Sequence, residues 1–159
     1  RWKALNSCWY SLLGTTPLIG KTDGTDFAKN TLRNIIEEAD TVINADTLNL
    51  PLSEGETPVA ATLRFGHDTG IGPLLSLMQV DGYDKILSIA KDDMDQWPSF
   101  KYLNMASNLQ MIFYRNRKGE VLVKLLHNER ETRITGLPTY SGPYYQWSVL
   151  RSYLTGLLN

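Results

Sequence analysis

Cysteine is almost missing from this sequence. Cys8 stands alone among 159 residues, so no disulfide can form within the chain, and cysteine usage leaves the redox compartment undecided. Excess charge is missing too. The net charge is −1, so no global field draws the chain to nucleic acid or to an anionic membrane. No apolar run approaches the roughly 20 residues that a membrane-spanning helix needs. Neither a G-x-S-x-G elbow nor a phosphate-cradling P-loop is present. The sequence opens on Arg1 without an initiator Met or a signal peptide. It is therefore read as the ordered or processed part of a longer polypeptide, with any leader upstream.

What is there suits a globular domain. Hydrophobic residues make up 42% and charged residues 21%, near the usual proportions. Trp2, Leu5, Cys8, Trp9, Leu12 and Leu13 recur at helical spacing, which predicts an amphipathic helix ended by Gly14. A second helix is predicted over 26–46, capped by Thr25 or Asp26. Ala28, Leu32, Ile35, Ile36, Ala39, Val42 and Ile43 form its apolar face, and Glu37, Glu38 and Asp40 its solvated one. Residues 47–59 read as a linker with Pro51, Gly55 and Pro58, and 84–103 as polar, helical or irregular. Runs of branched and aromatic residues over 109–115 and 121–127 predict two strands joined by Asn116–Glu120, with Gly119 free to take a positive φ. The second strand is expected to continue toward Glu131, and residues 144–158 to be helical.

The chain is organised around Thr62–Met78, TLRFGHDTGIGPLLSLM. An apolar run from Ala60 to Phe65 reads as a strand, Gly66–Gly70 as a tight turn, and Ile71, Leu74, Leu75 and Met78 as one face of a helix. His67 and Asp68 then lie side by side where a strand end meets a helix N-terminus, a place that favours anions. A phosphate ester suits such a corner. Protonated His67 can donate a charge-assisted hydrogen bond to a phosphoryl oxygen. Asp68, if burial or neighbouring acids keep its proton on, can give it to the leaving alcohol oxygen. Thr69 either caps the helix or bonds the same anion. Arg64 is either a second phosphate ligand or a structural ion-pair partner. One His and one Asp fall short of a metal-ligand set, so no metal and no cofactor are expected. Adjacent residues also point to opposite faces of a strand, which argues against a Ser-His-Asp triad. His127, at a strand end, reads as a structural residue.

Leu63-Arg64-Phe65-Gly66-His67-Asp68-Thr69 resembles the second signature of the histidine acid phosphatases, the branch of the histidine phosphatase superfamily that holds phytases and multiple inositol polyphosphate phosphatases. Asn6 to Leu18 is similar to the helix and turn of that family's helical region. Asn108–Arg115, Val121–Leu126 and Asn128-Glu129 resemble the strands after the motif, and Pro143–Trp147 the start of the C-terminal helix. The resemblance implies an α/β, phosphoglycerate mutase-like fold with a mixed sheet flanked by helices. Strand 60–66 would lie in that sheet, residues 1–25 in a helical cap, and 26–159 in the C-terminal part of the phosphatase domain. It also implies phosphomonoester hydrolysis through a phosphohistidine, with His67 binding the phosphoryl group and Asp68 donating the proton. The family's nucleophile belongs to an Arg-His-Gly-x-Arg run that this sequence does not contain. The chain is accordingly expected to be an incomplete fragment, inactive without the N-terminal half as its partner. Its substrate would be a phosphorylated small molecule, and its location periplasmic or secreted. The inositol polyphosphate phosphatases usually carry His-Ala-Glu where this chain has His-Asp-Thr, which leaves substrate open between inositol polyphosphates and simpler phosphomonoesters. Lys91, Lys101, Arg115, Arg117 and Lys118 are the cations available for a polyphosphate, or for plain solvation. A non-catalytic phosphate-binding module and a structural fragment are the competing expectations.

Overall fold

Apolar residues at i, i+4 and i+8 build the first helix described, α1, Ala28–Thr47. Ala28, Leu32 and Ile36 are buried along one side, with Ile35, Ala39 and Ile43 packed beside them, as helical periodicity requires. The computed structural model describes residues 25–26, 28–47, 61–84 and 99–159. The helix expected near the N-terminus, the linker expected over 47–59 beyond Thr47, and most of 84–103 lie outside them.

After α1, the described chain resumes at residue 61 and enters α2, Asp68–Leu77. This helix is poor by propensity. It holds Gly70, Gly72 and Pro73, and glycine and proline cost about 1 and 3 kcal/mol in a helix interior. Packing offsets that, since Gly72, Pro73, Leu74, Leu75 and Ser76 are buried. α2 packs on α1. A short helix, α3, spans Ser99–Tyr102. The sheet follows: β1 Leu109–Arg115, β2 Val121–His127, β3 Arg130–Thr132 and β4 Tyr144–Gln146. The last helix, α4, is Trp147–Gly156.

β2 is the centre of the sheet. It pairs with β1 on one side and with both β3 and β4 on the other. Val123 and Leu125 are fully buried on its inner face, where they join Leu75, Met78, Tyr145, Leu150 and Leu154 in one core. Helices thus pack on one sheet, in keeping with the α/β class expected. Among the described residues every strand pair is antiparallel. The parallel component of a mixed sheet is not seen there, because residues 61–66 of the strand expected over 60–66 join no ladder. Residues 61–67 are neither helix nor strand, and all are exposed. An extended segment becomes a strand only where a neighbour supplies partner groups.

Three further expectations are corrected. β2 does not run on to Glu131. It stops at His127, and Asn128 and Glu129 turn with φ of 50° and 62°, the pair of positive values that a two-residue type I′ hairpin demands. Residues 144–146 form β4 rather than helix, because Val123 and Lys124 offer them a ladder. Asp40, on the polar face and partly exposed, does more than meet solvent. Its Oδ1 accepts the Trp147 Nε1–H at 3.1 Å and its Oδ2 the Arg151 Nε–H at 2.7 Å, which ties α1 to α4.

Gly82 occupies a turn with φ +89°, and a Cβ there would overlap the Tyr102 ring. Gly82→Ala is expected to lower stability by about 1–3 kcal/mol, through left-handed strain and overpacking together. Thermal melts check this. Adding Tyr102→Leu should restore part of the loss; no recovery would mean that the ring is not the obstacle.

Candidate active site

α2 begins at the His-Asp pair. His67 is its N-cap, with extended backbone at φ −99° and ψ 166°. Its carbonyl accepts the N–H groups of Gly70 at 2.9 Å and Ile71 at 3.2 Å, the bonds that start a helix. Its side chain makes no capping bond, and the residue is exposed. The imidazole is therefore not sealed in the core.

Asp68 is the first helical residue. A carboxylate in this position complements the positive end of the helix dipole. Asp68 Oδ1 accepts the Thr69 N–H at 2.8 Å. The residue is exposed, so the burial envisaged from the sequence is not met. Thr69 does not cap the helix either. The helix starts one residue before it, which makes His67 the cap and puts Thr69 inside the first turn.

Arg64 is in an ion pair with Glu38 of α1, Nη2 to Oε1 at 2.5 Å. Both side chains are partly exposed, and such pairs contribute about 0–1 kcal/mol. Their effect is mainly positional, since the pair fastens the otherwise unladdered 61–67 segment to α1. Beside it runs a shallow groove lined by Asn34, Glu37, Glu38, Thr41, Val42 and Thr62. His67 and Asp68 do not line it.

The structure thus places His67, Asp68 and Thr69 on one helix start and turns Arg64 toward α1. Arg115, Arg117 and Lys118 are exposed at the tip of the β1–β2 hairpin, and Lys101 is exposed in α3. Lys91 lies outside the described residues. No group of three or more His, Cys, Asp or Glu side chains able to hold a metal occurs among the described residues. No helix among them is long and apolar enough to cross a membrane.

Comparison with protein families matches residues 3–128 to the histidine phosphatase superfamily (branch 2). That span contains Arg64, His67, Asp68 and Thr69 as well as α1, α2, β1 and β2. A search of curated proteins finds no match to the chain. The family match supports a phosphatase-type function on a phosphorylated substrate, which an exposed His-Asp pair at a helix start is chemically equipped to serve. With well over half its length matched, the chain belongs to branch 2 of the histidine phosphatase superfamily.

Proposed function

We propose that this chain is the C-terminal portion of a histidine acid phosphatase. In this reading a histidine nitrogen from an Arg-His-Gly-x-Arg run attacks phosphorus. A P–N bond forms as the P–O bond to the leaving alcohol breaks. Asp68, exposed rather than buried, takes up a proton beside the anionic ester and gives it to that oxygen. Protonated His67 holds a non-bridging phosphoryl oxygen through a charge-assisted hydrogen bond. Water then cleaves the P–N bond and releases phosphate. The scheme calls on no metal or cofactor.

The observation that carries this reading is the exposed His67–Asp68 pair at the start of α2, inside the residues matched to the family. Arg64 would have to leave Glu38 to touch phosphate, so its part is secondary. Neither His67 nor His127 belongs to an Arg-His-Gly-x-Arg run, and the sequence has none. The nucleophile is accordingly assigned to the other half of the polypeptide. Residues 1–159 alone are expected to bind phosphate without turning an ester over, which is also what a pure binding module would do. Inositol polyphosphates such as phytate are the substrate class proposed, with Lys101, Arg115, Arg117 and Lys118 as the cations on hand. The compartment proposed is the periplasm or the cell exterior.

Titrating the chain with inorganic phosphate, or with vanadate, while following its NMR spectrum tests the binding step. The His67 ring and the Gly66–Gly70 amides should shift together, and His67→Ala should abolish the response. An unmoved His67 ring at saturating anion sinks the reading. So would phosphate release and a phosphohistidine formed by this chain alone.

A further inference from the structure

His67 joins a helix fixed by packing to a segment that no ladder holds. Downstream, α2 packs on α1, and Leu74 and Leu75 lie in the same core as Leu32 and Ile36. Upstream, residues 61–66 are exposed and join no ladder. Gly66 stands between Arg64 and His67, and apart from its chain neighbours nothing lies within 4 Å of where a Cβ would be. Glycine has more backbone freedom than any other residue, and packing does not restrict it here. The direction in which the chain enters His67 has to be set from outside the segment.

α1 supplies that hold. Glu38 Oε1 pairs with Arg64 Nη2 at 2.5 Å. Thr62 completes the wall of a groove whose other sides are Asn34, Glu37, Glu38, Thr41 and Val42 of α1, so the segment runs beside that helix from Thr62 to Arg64. One helix thus grips both arms of the corner that carries His67 and Asp68. It holds α2 through apolar side chains and the incoming segment through a charge pair. A side chain that binds through a directed hydrogen bond is sensitive to its own placement.

We propose that Glu38 is a positioning residue for the phosphate site: through Arg64 it holds residues 62–66 against α1 and so fixes the approach of the chain to His67, an assignment that rests on the phosphate-binding role proposed for His67. Electrostatics alone predicts the opposite sign. Glu38 is an acid paired three residues from His67. Removing its charge would by Coulomb's law favour an anion there, and would release Arg64 to reach it. Loss of positioning weakens the anion instead.

Phosphate titrations of the whole chain, followed by NMR, test this. Glu38→Gln should weaken the phosphate response of the His67 ring by about two- to fivefold, the reach of an exposed ion pair. Glu37→Gln removes the same charge from the same groove and should not weaken it. In an Arg64→Gln background Glu38→Gln should add nothing, because its effect passes through Arg64. Unchanged or stronger binding in Glu38→Gln, equal weakening by Glu37→Gln, or additive losses in the double variant overturn the proposal. A second measurement needs no ligand. The heteronuclear amide NOE of residues 63–66 should fall in Glu38→Gln while that of α4 stays constant. If the unaltered chain ignores phosphate, the role proposed for His67 is what fails, and the NOE decides whether Glu38 sets the entry to that residue: an unchanged value at 63–66 overturns it.

Discussion

Asp68→Asn should, on the scheme proposed above, cut phosphate release by about 10²–10⁴-fold, the usual contribution of a positioned general acid, in a polypeptide that joins this chain to an Arg-His-Gly-x-Arg run. The substitution keeps the size of the side chain and keeps an oxygen able to accept the Thr69 N–H that Asp68 Oδ1 accepts at 2.8 Å. It removes only the transferable proton. Phosphate affinity, which the proposed scheme assigns to the His67 imidazole, should stay close to the original. The size of the loss should also depend on the leaving group. A p-nitrophenolate departs readily without a proton, so the deficit on its ester should be far smaller than on an alkyl phosphate. Measuring kcat for both esters separates the roles. Equal losses on the two esters would mean that Asp68 places the substrate or supports the helix start. No loss on either would leave a binding module.

Leu75→Ala should lower stability by about 2–5 kcal/mol, the range for truncating a fully enclosed leucine. Leu75 has no exposed surface and sits in α2, which packs on α1, within the common core. For a chain of this size each kcal/mol moves Tm by roughly 2–4 °C, so the shift is easily read by calorimetry. Leu63→Ala is the contrast. Leu63 is 74% exposed, and surface changes usually stay within about 0.5 kcal/mol. The periodic pattern treats these two leucines alike, and only their surroundings separate them. Comparable losses would show that residues 61–67 are packed rather than exposed and that the core extends to Leu63.

The legible part of the fold was the local part. The runs Leu109–Arg115 and Val121–His127 are strands with the boundaries their composition suggests, and Asn116–Glu120 turns between them with Gly119 at φ 83°. α1 follows its apolar spacing to within two residues. Residues 60–66 show where such reading stops. They have the alternation of a strand, with Leu63 and Phe65 on one side, yet no ladder holds 61–66 among the described residues. The Asn128-Glu129 turn was missed because neither residue is glycine. Two polar residues between apolar ones look like strand until a partner such as β3 closes the hairpin. At the candidate site, the residue types were readable but not their state. Burial of Asp68 and capping by Thr69 were reasonable from the sequence, and a helix that begins at residue 68 with an open N-terminus supplies neither.

The sequence by itself determined the family, the run of local elements, and the placing of an imidazole and a carboxyl side by side ahead of an apolar helix. Those features depend on residues within a few positions of one another, where backbone geometry and side-chain alternation act directly. Tertiary structure alone decided that Asp40 would hold Trp147 and Arg151, that Arg64 would pair with Glu38, and that one histidine would be exposed while the other was clasped between Tyr83 and Ser107. These outcomes depend on which surfaces meet after the chain has folded back on itself. Partners up to 111 residues apart leave no mark on the local pattern from which they could be read.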